Sequence, residues 1–186
     1  RWYVQRNVLF LAAELPGMPL AVDAAPFRQH PDQRVRREAL RVLFRHTEER
    51  TRAICTALSD EDPRVKRQAL NAVVEGGVPE PAVSLLIALA SDSDQETELR
   101  VGAMRALASK GGRLALEALL KMTEIKRRSL MDLVSSSTAN PELLAAITAL
   151  GTMRAEPRAR ERLELIVKGR DPAAAQAAAD ALKGVS

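Results

Sequence analysis

The string EDPRVKRQAL at residues 61–70 overlays PDQRVRREAL at residues 31–40, and these two stretches determine the fold. In each, a valine is followed four positions later by an alanine, and a further apolar residue comes four positions after that. Residues four apart lie on one side of an α-helix, so the pattern predicts an amphipathic helix. The same pattern occurs six times, as Val4/Val8/Ala12, Val35/Ala39/Leu43, Val65/Ala69/Val73, Leu99/Ala103/Leu107, Leu143/Ile147/Gly151 and Ala174/Ala178/Leu182. A period of roughly 30 residues is typical of stacked helical repeats and not of a single globular enzyme.

Start signals precede several of these pattern helices. Asp62-Pro63, Asn140-Pro141 and Asp171-Pro172 each combine a capping side chain with a proline in the first turn, and Glu156-Pro157 is a weaker version. Partner helices are predicted between the pattern helices, at about residues 20–28, 48–58, 80–90 and 158–168. Because short linkers join the helices of each pair, we expect antiparallel helical hairpins.

The composition favours closely stacked helices and an ordinary charged surface. Hydrophobic residues make up 46% of the 186 residues but aromatic residues only 3%, so the core must consist of Leu, Ala, Val and Ile. Charged residues make up 28% of the chain, both signs are mixed, and the net charge is +4. This balance favours acidic partners only mildly.

Two further features bear on where the protein works. Cys55 is the single cysteine and lies in the run Ala53–Leu58, which predicts a buried structural thiol and gives no sign of an oxidising compartment. No run of 18 apolar residues and no signal peptide is visible, so we expect a cytoplasmic protein without membrane insertion. The chain opens within a repeat, at Trp2-Tyr3-Val4, and we therefore expect a single repeat array over 1–186 that is the C-terminal fragment of a longer protein.

The motif Asp-Pro-x-Val-(Arg/Lys)-x-x-Ala-(Leu/Ala) at Asp62–Leu70 resembles the second helix of a HEAT repeat. Residues 30–40 are a close copy, and 170–179 are a degraded one. The opening residues 1–7 also resemble a segment common in bacterial HEAT-repeat proteins. The resemblance implies an all-α fold, a right-handed α-α superhelix of about six helical hairpins.

The repeat is interrupted near residues 121–139. Pattern helices begin at Leu99 and Leu143, a gap longer than the others, and Gly112 to Val134 contains no proline or internal glycine. One long helix would fit, but the apolar side lapses at residues 126–129, which favours two helices or a kink near Thr123. Ser135 to Thr138 is predicted to be a loop. An inserted functional segment and simple drift of one repeat both remain open.

The pattern also predicts where a partner would bind. The HEAT resemblance implies that the second helix of each hairpin lines a concave surface, and the pattern's third and seventh positions point away from the core. The third positions are Arg6, Arg37, Arg67, Val101, Ala145 and Gln176, and the seventh are Phe10, Arg41, Asn71, Arg105, Ala149 and Asp180. Arginine suits carboxylates and phosphates, so we predict a partner surface comprising Arg6, Arg37, Arg41, Arg67, Asn71 and Arg105. The simpler alternative is that these arginines only occupy a solvated helix face.

Other residues have structural explanations. Arg36, Lys66 and Arg100 follow the pattern's first position, where the resemblance implies a ladder of pairs with loop acids such as Asp32 and Asp62. Trp2 and Tyr3 are predicted to lie in a core or an interface.

The residue types that catalysis and metal binding need are sparse. His30 and His46 have no Cys or His partner at metal-ligand spacing, so we expect no metal site. A nucleophile pair of Cys55 and His46 has no third group to orient it. Gly111-Gly112 follows no strand, as a phosphate-binding loop requires. We expect neither a catalytic residue nor a cofactor.

Three functions fit these observations. The first is a non-enzymatic scaffold that binds a protein or peptide, acidic in character, through the concave arginines. The second is nucleic-acid binding through the same surface, although resemblance to HEAT-like DNA alkylpurine glycosylases is weakened by the few aromatic residues. The third is an enzyme subunit similar to HEAT-like phycobilin lyases. The sequence does not fix the oligomeric state.

Overall fold

The computed structural model describes residues 1–15, 24–124 and 140–184, and within them the chain forms ten α-helices, one short 3₁₀ helix and no strand. The helices are α1 (Trp2–Glu14), α2 (Gln33–Leu43), α3 (Thr47–Leu58), α4 (Pro63–Gly76), α5 (Ala82–Ser91), α6 (Thr97–Lys110), α7 (Arg113–Met122), α8 (Pro141–Thr152), α9 (Pro157–Val167) and α10 (Pro172–Lys183), and the 3₁₀ helix is Ala25–Gln29. The predicted all-α class is confirmed. The chain divides into two units, Arg1–Leu85 and Leu86–Ser186.

Three of the predicted start signals cap their helices through the side chain. The Asp62 carboxylate accepts a hydrogen bond from the Arg64 amide at 2.8 Å, and Asn140 and Asp171 accept from amides in the first turns of α8 and α10. These contacts satisfy amides that have no partner within the helix. Glu156 precedes α9 but makes no side-chain cap, which agrees with its weaker signal.

The core of the first unit follows the predicted spacing in α2 and α4. Val35, Ala39 and Leu43 are fully buried on α2, as are the equivalent residues Val65, Ala69 and Val73 on α4. Packing these residues on neighbouring helices removes apolar area from water, which is the main source of helix stability in such repeats.

The predicted register of α1 is wrong by one residue. Val4 and Val8 are 50% and 60% exposed, whereas Leu9 and Ala13 are buried. Leu9 and Ala13 are the equivalents of Ala39 and Leu43 after a shift of 30 residues. The core side of α1 was predicted wrongly because this helix carries apolar residues on two sides.

The second unit follows the predicted spacing on α6, whereas Leu143 on α8 and Leu182 on α10 are only half-buried. Leu99, Ala103 and Leu107 are buried on α6, and Ile147 and Gly151 on α8. A Cβ atom built on Gly151 would lie 2.7 Å from the Cβ of Ala181 on α10. The glycine therefore permits a close approach of α8 and α10 that any larger residue would prevent.

The predicted partner helices are found, with shifted boundaries. The 3₁₀ helix Ala25–Gln29 covers the end of the first one, whose start lies outside the described residues. α3, α5 and α9 correspond to the other three. Cys55 on α3 is half-buried, not fully buried as predicted, and burial raises the pKa of its thiol.

The irregular segment is described only at its beginning. α7 ends at Met122 with Thr123 as its C-cap, at the position where the sequence favoured a break. Thr123 is fully buried, and its hydroxyl accepts a hydrogen bond from Arg162 on α9 at 3.1 Å. The predicted second helix and the loop at 135–138 lie outside the described residues.

Candidate interaction surface

Arg36 has a structural role, as the sequence predicted, but its partner differs. Its guanidinium donates to both carboxylate oxygens of Asp60, each at 2.8 Å, and to the carbonyls of His30 and Pro31 at 2.9 and 3.0 Å. Hydrogen bonding to Asp60 raises the pKa of Arg36, against the opposing effect of burial. Asp32, the expected partner, instead caps α2 by accepting from the Arg34 amide.

Arg100 plays a similar part in the second unit. It donates to the Glu142 carboxylate on α8 and, at 3.4 Å, to the carbonyl of Ala90. Its acid thus comes from a later helix and not from a preceding loop. Arg36 and Arg100 are consequently not available to a partner.

The remaining arginines of α2 form one outward stripe. Arg34, Arg37 and Arg41 are spaced three and four residues apart, which places them on one side of α2, and Arg45 follows in the turn after the helix. On α4 the same spacing brings Arg64, Arg67 and Asn71 together, and all three are exposed. We call these seven residues the basic face.

The amide of Gln68 on α4 connects the two helices by donating to the carbonyl of Arg37 at 3.0 Å. This contact shows that α2 and α4 are adjacent at these positions, so Arg37 and Arg67 lie on neighbouring helices. Packed helix axes lie about 8–10 Å apart, which is within reach of one extended partner segment. Arg37 is half-buried, and its Nε has no hydrogen-bond partner within the described part of the chain.

Several arginines of the basic face also fasten α1 to α2. The Arg34 guanidinium lies 3.8 Å from the centroid of the Trp2 ring and is paired with Asp32 at 3.2 Å. Arg45 donates to the carbonyl of Ala13 at the end of α1, where the helix dipole is negative. Trp2 stacks on Arg34 and makes an edge-on contact with Tyr3, but Tyr3 is 42% exposed and does not lie in a core as predicted.

Arg41 has the most acidic surroundings of the stripe. It pairs with Glu14 of α1 and lies 3.6 Å from Glu38 one turn earlier on α2. Its guanidinium is also 5.4 Å from the centroid of the Phe10 ring. Arg41 is 36% exposed, so it remains accessible from solvent.

The structure divides the predicted binding residues. Arg37, Arg41, Arg67 and Asn71 lie together on α2 and α4. Arg6 does not join them, because the corrected register of α1 makes it the equivalent of Arg36. Arg105 is exposed on α6 and belongs to the second unit.

Sequence reasoning overlooked three members of the basic face, Arg34, Arg45 and Arg64. The spacing of arginines along α2 would have indicated the first two, because residues 34, 37, 41 and 45 follow the period of an α-helix. Val74, which is 69% exposed one turn after Asn71, was also overlooked. An apolar neighbour beside the arginines gives this surface a mixed character.

Within the described residues no group of three or more His, Cys, Asp or Glu side chains is arranged to hold a metal ion. No helix in the same residues has the length and apolar character needed to cross a bilayer.

Helices α1, α2 and α4 follow one another at intervals of about 30 residues, and α2 and α4 carry exposed arginines. These features define a helical-repeat protein. More narrowly, the fold is that of an α-solenoid, and residues 21–97, less than half of the chain, match the family model described as HEAT repeats. No curated protein matches the chain in sequence.

Two engineered proteins of solved structure share the fold. The chain resembles an engineered protein from a structural genomics consortium at 18% identity, with a TM-score of 0.53 over 100% of this chain and 91% of that one. A second engineered protein from the same source gives 18% identity and a TM-score of 0.57 over 98% of this chain, which spans 54% of that protein. A designed armadillo repeat protein aligns at 15% identity and a TM-score of 0.49, over 97% of this chain and 93% of that one.

Proposed function

We propose that this chain is a non-enzymatic interaction scaffold, and that it binds an acidic protein or peptide on the basic face of α2 and α4. The observation that carries the proposal is the outward row of arginines on α2. Arg36 lies on the same helix but outside this row, and it is buried in an ion pair with Asp60. HEAT-like repeats expose long surfaces built from successive helices, which suits partners larger than a small molecule.

The guanidinium geometry indicates which partners fit. Arginine presents several N–H donors in one plane and pairs with carboxylates or phosphates through two parallel hydrogen bonds. Arg37 is half-buried and Arg67 is exposed, so a partner's carboxylate can approach both side chains from solvent. Val74 adds exposed apolar surface, so we expect an acidic segment that also carries apolar side chains.

A nucleic-acid partner is less well supported. Single-stranded binding relies on bases stacking upon exposed aromatic rings. Trp2 is the largest ring near the basic face, and the guanidinium of Arg34 already lies on one side of it. The phosphate chemistry nevertheless matches the arginines, and the experiment must separate the two partner classes.

The test is affinity capture with wild type and with the triple variant Arg37→Ala, Arg41→Ala and Arg67→Ala. A matched control replaces three exposed arginines elsewhere, Arg52, Arg113 and Arg160, whose side chains are 65%, 86% and 69% exposed. Each eluate is split and treated with or without nuclease. Thermal unfolding followed by circular dichroism confirms that both variants are folded.

We expect a nuclease-resistant protein partner that is lost in the first triple variant and retained in the control. Equal loss in both variants would mean that net charge alone matters, which contradicts a defined surface. A nucleic acid that is released by a few-fold rise in salt would make the protein a nucleic-acid binder instead.

A further inference from the structure

The acid that occupies Arg41 comes from the protein itself. Glu14, at the C-terminal end of α1, is paired with the Arg41 guanidinium, and Phe10, one turn earlier on α1, lies beside the same group at 5.4 Å. This arrangement of one carboxylate and one apolar ring is the chemistry that the proposed partner would bring to the basic face.

The pair is open to exchange. The side chain of Glu14 is 50% exposed and that of Arg41 is 36% exposed, so solvent and a partner can both reach it. Ion pairs at this level of exposure change an equilibrium constant by at most about fivefold, so a second carboxylate can replace the first at little cost. Glu38 holds Arg41 from the other side at 3.6 Å and is only 20% exposed, so it is not displaced in the same way.

Arg37 offers a contrast on the same helix. It lies one turn before Arg41, yet its Nε has no hydrogen-bond partner within the described residues. Arg37 therefore lacks a full set of internal partners, whereas Arg41 is already paired with an internal acid.

We infer that Glu14 is an internal competitor of the acidic partner, and that binding requires the partner's carboxylate to displace Glu14 from Arg41. This inference rests on the proposed function of the basic face. It makes Glu14 a residue that lowers affinity for weakly acidic segments and so selects for strongly acidic ones. Removing its charge is expected to tighten binding while leaving the fold intact, because Arg45 and Arg34 still fasten α1 to α2.

The experiment measures the affinity of a fluorescein-labelled decaglutamate peptide by fluorescence anisotropy at low ionic strength. The proteins are wild type, Glu14→Gln, Arg41→Gln, the double variant, the triple alanine variant at Arg37, Arg41 and Arg67, and Glu48→Gln as a matched control. Glu48 is exposed in the first turn of α3 and has the same charge. Thermal unfolding is recorded for every variant.

We expect Glu14→Gln to bind about two- to fivefold more tightly than wild type, as the energy of an exposed ion pair implies. Glu48→Gln should bind like wild type. The gain from Glu14→Gln should vanish in the Arg41→Gln background, because there is no longer an arginine to release.

A gain that persists without Arg41 would show a long-range charge effect and overturn the inference. No gain at all would do the same. Either result leaves the proposed function standing if the Arg37, Arg41 and Arg67 triple variant still loses the peptide. If the triple variant binds the peptide as tightly as wild type, or if wild type does not bind it, the proposed function is overturned and the inference with it.

Discussion

In the first unit the third pattern positions of α2 and α4 carry Arg37 and Arg67, whereas in the second unit the same positions of α6 and α8 carry Val101 and Ala145, and Arg105 on α6 is isolated from other pattern arginines. The inward positions of α2, α4 and α6 follow one spacing and are buried alike. The repeat thus fixes the core and leaves the outward side free to diverge. Binding is for this reason proposed for the first unit alone.

Arginine–acid pairs link helices in both units, as in Arg36–Asp60 and Arg100–Glu142, but the second unit adds a close helix contact. Arginine side chains reach across the first unit to carboxylates and to carbonyls at helix ends, as Arg36 does with Asp60 and Arg50 with Ala72 and Gly77. In the second unit, Gly151 and Ala181 bring two helices into direct contact. The first device is electrostatic and the second is steric, so different substitutions should damage them.

The largest effect is expected from Arg36→Met. The side chains of Arg36 and Asp60 are 9% and 6% exposed, so the substitution leaves a carboxylate buried without its partner. Breaking such a pair costs about 3 kcal/mol of unfolding free energy. Urea unfolding followed by circular dichroism measures the change.

Arg34→Met is the control for this prediction, because the Arg34 side chain is 50% exposed and lies on the same helix. We expect it to lose less than about 1 kcal/mol. Similar losses in the two variants would show that Arg36 contributes no more than a surface arginine.

Gly151→Val should affect the second unit almost as strongly. The added side chain would meet the Cβ and Cα of Ala181 at 2.7 and 3.2 Å from its first atom, which forces α8 and α10 apart. Overpacking of this kind costs about 1–3 kcal/mol. The control is Thr148→Val on the exposed side of α8, which should change the stability by less than about 0.5 kcal/mol. If Gly151→Val were as stable as the control, the close approach would not constrain α8.

These two residues show what the sequence could and could not predict. Gly151 fitted the repeat spacing, so its burial was predicted, but its contact with Ala181 depends on how two helices cross. The role of Arg36 was predicted from the HEAT resemblance, yet its partner Asp60 lies in the loop after α3, 24 residues later. The spacing of residues along one helix can be read from the sequence. Which side chains pair between two helices can be predicted only when the packing of those helices is known.

The candidate surface shows the same limit. Periodicity brought Arg37, Arg41, Arg67 and Asn71 together correctly on the outward side of α2 and α4. It failed for Arg6, because α1 has two apolar sides and the wrong one was assigned to the core. Nor could it indicate that Glu14 would reach Arg41, since the two residues lie on different helices.

Helix capping offers a smaller and more direct comparison between the units. Asp62→Ala removes a carboxylate that accepts from the Arg64 amide, and it should cost about 1 kcal/mol. Glu156→Ala removes a residue at the same position before α9 that makes no side-chain cap, so its effect should be close to zero. Urea unfolding of both variants checks the difference, and equal effects would contradict the assigned caps.

The smallest effect is expected from Arg100→Met, the counterpart of Arg36→Met in the second unit. The side chains of Arg100 and Glu142 are 17% and 22% exposed, so water can solvate Glu142 once its partner is gone. We expect a loss of about 1 kcal/mol or less. A double-mutant cycle with Glu142→Gln isolates the pair from other contacts of Arg100, such as the one to the Ala90 carbonyl. A coupling energy as large as that of the Arg36–Asp60 pair would show that burial of the acid does not decide the strength of these interhelical links.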